Sequence, residues 1–136
     1  MTIRYSDSIL TSRANVIATA RDAGGAAGCI KLYTGTRPGT DGGAITSQTL
    51  VSTLYFDYPS TASNVNGVLT ATVNPGTASD SGAISWFREE SSTGVFVADG
   101  DVSTVSAGTG DLLLNDVNAV NGLPISISTY RTTENN

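Results

Sequence analysis

Residues 82–100, GAISWFREESSTGVFVADG, decide the fold: two runs of alternating apolar and polar side chains are joined by a short Ser-Ser-Thr-Gly link. Alternation of period two sends successive side chains to opposite faces of a strand, and a short Gly-containing link reverses the chain, so the stretch reads as a β-hairpin. The same pattern recurs on either side. Cys29 to Thr34 reads as a strand with Ile30 and Leu32 on one face, closed by a Gly-rich loop at 35–43. Thr49 to Asp57 reads as a longer strand, with Leu50, Leu54 and Phe56 facing one way and Val51, Thr53 and Tyr55 the other. The hairpin supplies Ala83 to Glu90 and Gly94 to Asp99, and Val68 to Val73, Leu112 to Leu114 and Pro124 to Tyr130 complete the set. Short strands separated by Gly-rich turns predict an all-β protein, a two-sheet β-sandwich of jelly-roll-like type, because a parallel sheet needs a helix at each crossover. Leu32, Leu54, Phe56, Leu69, Trp86, Val97, Ile125 and Ile127 are the predicted core.

The N-terminal segment differs from the rest. Ser6, Asp7 and Ser8 offer capping oxygens, and Ile9, Leu10, Arg13, Ala14, Val16, Ile17, Ala20 and Arg21 follow at helical spacing. One short α-helix over 7–22 is expected, stopped by Asp22-Ala-Gly-Gly-Ala-Ala-Gly. The chain divides into an N-terminal helix with its Gly-rich link, 1–27, and the β-sandwich, 28–136, within a single domain; 136 residues suit one compact unit. The helix carries an apolar stripe of Leu10, Ala14, Ile17 and Ala20, which must be covered by the protein's own sheet or by a partner.

Composition narrows the chemistry. There is no histidine, and the lone Cys29 has neither a second thiol nor an imidazole for a zinc site or a Cys-His nucleophile, so it reads as a small structural residue. Hydroxyls are abundant, yet without histidine a nucleophilic Ser or Thr lacks its usual base, and a Ser-Lys arrangement would rest on Lys31 alone. No enzyme activity, cofactor or metal is expected. A net charge of -5 disfavours phosphate backbones, so nucleic acid is not an expected partner. No apolar run reaches transmembrane length and the first twenty residues lack the apolar core of a signal peptide, so membrane is not expected either, and synthesis in the cytoplasm is.

Four local features invite sharper readings. Asp99-Gly-Asp101, with Asp111 downstream, offers calcium-type oxygens but lacks the ligand spacing and closing Glu of an EF-hand, and reads as a solvated hairpin loop. Glu89 and Glu90 are neighbours on one strand, so they point to opposite faces and cannot easily work as an acid–base pair. Trp86, between Ile84 and Arg88 at period two, reads as core in preference to a sugar-stacking platform. Arg37 can present a guanidinium fork to a partner's carboxylate, although an ordinary turn at Arg37-Pro38 is the favoured reading.

The order helix, Gly-rich break, KLYTGTRPGT (31–40), SQTLVSTLYF (47–56), GVLTATV (67–73), AISWFR (83–88), VADGDV (97–102), DLLLN (111–115) and PISISTYRTTE (124–134) resembles small virion structural proteins of tailed bacteriophages, over nearly the whole chain. Some proteins of this type are capsid cement, or decoration, proteins with a jelly-roll-like sandwich that sit as oligomers over junctions of the major capsid protein. The resemblance implies a structural protein on the capsid exterior of the virion, made in the bacterial host cytoplasm. It would bind the outer surface of the major capsid protein and bridge subunits as a homodimer or other homo-oligomer. Candidate partner contacts are Leu10, Ala14 and Ile17 on the helix, Arg37 in its loop and Tyr55 on its strand. The alternative is a tail-associated or receptor- or carbohydrate-binding module that uses an aromatic among Tyr33, Tyr55, Tyr58 and Trp86.

Overall fold

The computed structural model describes residues 3–127 and 129–134. Helix α1 spans Asp7–Arg21, and β1 (Cys29–Tyr33), β2 (Leu50–Val65) and β3 (Val68–Val73) follow. Two short strands, β4 (Gly76–Thr77) and β5 (Gly82–Ala83), lead into β6 (Trp86–Glu90) and β7 (Phe96–Thr104). The chain ends with β8 (Leu112–Leu114), β9 (Asn118–Ala119), β10 (Pro124–Ile125) and β11 (Tyr130–Thr133). Seven of these strands form one sheet in the order β11-β3-β2-β1-β6-β7-β8, and β10-β4 and β5-β9 form two small ladders. All pairings are antiparallel except β7 with β8, where Val102 lies opposite Leu112.

The hairpin at 82–100 is present as β6 and β7. Its link is closed by Ser91 N–H donating to the Val95 carbonyl at 2.9 Å, and Gly94 takes a φ of 79° that L side chains resist. At the other tight hairpin Asn66 (φ 52°) and Gly67 (φ 81°) form the two-residue turn between β2 and β3, where two positive φ values match the strands' twist.

The ladders draw one curled sheet where two packed sheets in jelly-roll-like order were expected, and β2 is the reason. It is sixteen residues long, pairs with β1 through its first half and with β3 through its second, and shifts register between Phe56 and Thr61 and again between Thr61 and Ser63. Each irregularity bends the strand and increases its twist, so the sheet wraps its own core without needing a second layer. Strand limits move accordingly. Thr49 to Asp57 lengthens into β2, and Gly94 to Asp99 shifts into the longer β7. Ala83 to Glu90 divides between β5 and β6, and Pro124 to Tyr130 divides between β10 and β11, with Ser128 outside the described residues, as are 1–2 and 135–136 at the chain ends.

Leu32, Leu54, Phe56, Leu69, Trp86 and Ile127 are buried as expected, whereas Val97 and Ile125 are half-buried. Ile125 only borders the core cluster, because its ladder is two residues long. Val97 borders an open end of the sheet. One facing assignment reverses: the β1–β2 register slips between Leu32 and Tyr33, so Val51 has no partner on β1 and is fully buried, while Leu50 is 37% exposed.

Helix α1 lies against β2, β3 and β7 with Leu10 and Ala14 buried. Its N-cap is Ser6, but no side chain caps it; the Ser6 hydroxyl pairs with that of Ser8 at 3.0 Å. The other end is anchored by Asp22, whose carboxylate accepts the Ser60 N–H at 3.0 and 3.1 Å.

Candidate interaction site

Adjacent residues 89 and 90 are sent to opposite faces by the pleat of β6. Glu89 faces the core and is 1% exposed; Glu90 faces outward and accepts from Lys31 Nζ at 2.5 Å. A lone carboxylate in the core would cost several kcal/mol, on the order of 3 to 5 when its partner is missing. Here Arg21, the last residue of α1 and itself fully buried, donates from Nε to Glu89 Oε1 at 2.5 Å and from Nη2 to Oε2 at 3.3 Å. The Tyr130 hydroxyl donates to the same Oε2 at 2.9 Å. The guanidinium lies 4.5 Å over the Phe56 ring and 5.4 Å over the Tyr130 ring, which shields the pair from water. Burial first, then the Glu89 charge, hold the Tyr130 hydroxyl well above its usual pKa, so it remains a donor.

The outer face is closed by a second charged group. Arg88 Nη2 meets Asp99 Oδ2 at 3.1 Å, its Nη1 donates to the Gly43 carbonyl at 2.9 Å, and its guanidinium lies 5.4 Å from the Trp86 ring and 5.5 Å from the Phe96 ring. The Gly-rich loop is thereby held over Trp86, which stacks on Tyr33 at 4.4 Å and 11°. Trp86 is buried as expected, though beneath this loop and outside the main core cluster. Cys29 is buried on the same face, and burial is the main reason its thiol is pushed above its usual pKa, which disfavours the nucleophilic thiolate.

β11 and β8 are the two ends of one curled sheet, and a seam separates β11 from β8 and from the first part of β7, which β8 leaves uncovered. A cleft of about 360 Å³ opens there, bounded by Tyr130, Arg131, Thr132 and Thr133 of β11 on one side and Val97, Ala98 and Asp111 on the other. Ile17 of α1, Phe87 and Glu89 complete its lining. A neighbouring hollow, of about 280 Å³, brings Leu112 and Leu113 against Thr129, Tyr130 and Arg131. The cleft therefore has an apolar lining broken by a carboxylate already neutralised by Arg21, and charged side chains at its rim.

The residues singled out from sequence are not gathered at one place. Leu10 and Ala14 are 5% and 0% exposed against the protein's own sheet, which corrects their assignment as partner contacts: these two are covered from within, while Ala20 of the same stripe is exposed. Ile17 is half-buried in the cleft lining. Arg37 is engaged internally, with Nη1 3.6 Å from Asp99 Oδ1 and Nε 3.4 Å from Asp101 Oδ1. Tyr55 is 56% exposed on the outer face, beside Lys31 and Glu90. Of the aromatics weighed for sugar stacking, Tyr33 and Trp86 are buried while Tyr55 and Tyr58 are exposed.

Asp99 and Asp101 lie on β7 instead of in a loop, and Asp111 Oδ2 accepts the Asp101 N–H at 2.9 Å. Among the described residues no group of three or more His, Cys, Asp or Glu is placed to hold a metal ion, and no helix is long and apolar enough to cross a membrane. The Arg21–Glu89–Tyr130 group was missed from sequence, although Ala14, Ile17 and Arg21 share a helical spacing that turns a charge inward. No family model, no curated protein and no solved structure matches the chain.

Proposed function

We propose that this chain is a capsid cement protein of a tailed bacteriophage, binding the outer surface of the major capsid shell as a homo-oligomer and stabilising the head by bridging subunits. The sequence resemblance suggests the virion, and one structural observation supports a role in protein binding. Among the described residues, five of the seven basic side chains, Arg13, Arg21, Lys31, Arg37 and Arg88, are held in ion pairs inside the chain. Basic charge is thus largely spent internally, while large apolar side chains such as Val16, Val65, Val95 and Leu123 are more than half exposed. A surface of this kind recognises proteins through apolar contact, hydroxyls and main chain, and its attachment tolerates salt better than a charge-driven contact would.

The test is to delete the gene, or strip the protein from purified heads, and measure the temperature at which the heads release DNA while counting copies per particle by quantitative mass spectrometry. A lower release temperature together with a copy number in the range of the capsid subunits supports the proposal. Unchanged head stability, or a few copies per particle, overturns it in favour of a tail-associated binding module.

A further inference from the structure

We propose that the open edge of β11 captures an extended polypeptide segment as an added strand, seated in the seam between β11 and β7; this rests on the preceding reading only in taking the partner to be a protein. The argument begins with the direction of the peptide groups. Glu134 N–H donates to the Gly67 carbonyl on the β3 side, and the two-residue period of an antiparallel ladder assigns Tyr130 and Thr132 to that same side. The N–H and C=O groups of Arg131 and Thr133 therefore face the seam, and among the described residues β11 has no strand partner other than β3. A row of unpaired donors and acceptors at register spacing is matched by extended backbone, whatever the sequence that carries it.

The seam also limits what can enter. β11 and the first part of β7, at Val97 and Ala98, line one narrow cleft of about 360 Å³, which suits a single extended segment better than a second folded edge. Its side chains then alternate. Those opposite Thr132, which is half-buried, turn in toward Ile17, Phe87 and Val97 and are best small and apolar. Those opposite Arg131 and Thr133 turn outward, to the rim where Arg131 has no ion-pair partner among the described residues and Asp111 is exposed. The opposite, β7, edge is already partly blunted, since the Asp101 N–H is taken by Asp111 and the Asp99 carbonyl by Arg37 Nη1 at 3.3 Å. Recognition is consequently assigned to β11.

The test uses the full chain and a synthetic seven-residue peptide of alternating Thr and Val, acetylated and amidated, with exchange of individual backbone amides followed by nuclear magnetic resonance. The expected result is slowing of the Arg131 and Thr133 amides by about tenfold or more, with shifts at Val97 and Ala98. The same peptide N-methylated at every residue, which leaves no backbone donor on either edge, should have no effect. The variant Arg131→Pro removes a donor that faces the seam and none that faces β3, so it should keep its fold and lose the response. Absence of protection with the unmethylated peptide, equal protection with the methylated one, or protection confined to the β8 edge overturns the proposal. Protection that appears without peptide and vanishes on dilution also overturns it, by assigning the edge to a second copy. None of these outcomes depends on capsid stability, so this proposal and the cement reading can fail separately.

Discussion

Arg21 and Glu89 stand 68 residues apart in the chain and meet in the core with Nε 2.5 Å from Oε1, joining the end of the only helix among the described residues to the last part of β6. Two charges removed from water cost more than their attraction returns unless every oxygen is satisfied, and here Tyr130 supplies the third donor. The pair therefore fixes where α1 docks more than it raises stability. Arg21→Ala or Glu89→Ala alone should cost about 3 to 5 kcal/mol in urea unfolding, because each leaves an uncompensated buried charge. The double variant Arg21→Met, Glu89→Leu should recover most of that loss. A double variant no better than the worse single one would refute the pairing as the reason.

Stability should fall on the alkaline side, and the sign follows from the direction of the shifts. Cys29 and Tyr130 are raised from 9.0 and 10.0, each by burial first, and Lys31 is raised from 10.5, chiefly by its hydrogen bond to Glu90. A group with a higher pKa in the folded state holds its proton more tightly there, so its contribution is complete below the unfolded value and is lost as pH rises through the folded one. Urea stability should thus decline from pH 9.0 upward, and Tyr130→Phe should flatten the part that begins near 10.0. A profile that stays level past 10.5 contradicts these shifts.

Trp86→Ala should cost about 3 to 5 kcal/mol, since the loop above it is held by Arg88 and cannot simply collapse into the space. The same variant removes the stacking partner of Tyr33, so proteolysis within 35–43 should accelerate as the melting temperature falls. A near-unchanged melting transition would remove Trp86 from the set of structural residues.

The parts of the fold that were legible are those encoded locally. The hairpin around Ser91, the helix over Asp7–Arg21, and strands β3 and β8 follow from periodicity and Gly placement within a few residues. What escaped depends on events between distant segments. The one-residue slip that buries Val51 and exposes Leu50 is set by where β1 and β2 meet, and no pattern inside Leu50–Phe56 announces it. Curling of the sheet arises from register shifts in β2 against β3, so a count of strands could not distinguish one wrapped sheet from two packed ones. The seam is a consequence of that curling. Glu89 was legible to the extent that two neighbouring carboxylates on a strand must face opposite ways; that the inner one meets Arg21 was not.

Gly67 tests how the helix, the tight hairpin and β11 are held together. Its φ of 81° is strained for any L residue, and a Cβ there would lie 2.9 Å from Leu10 Cβ on α1 and 3.0 Å from the carbonyl oxygen of Glu134. Gly94 supplies the comparison: its φ is 79°, yet a Cβ there would meet nothing within 4 Å. Gly94→Ala should therefore cost only the backbone strain, about 1 kcal/mol. Gly67→Ala adds a contact that neither a helix side chain's Cβ nor a backbone carbonyl can relieve by rotating, and should cost about 1 to 3 kcal/mol more. The difference between the two variants in urea unfolding isolates packing from conformation, and it should be accompanied by faster amide exchange along α1 in the Gly67 variant alone. Equal losses at the two positions would mean that α1 and residue 134 do not press on the turn.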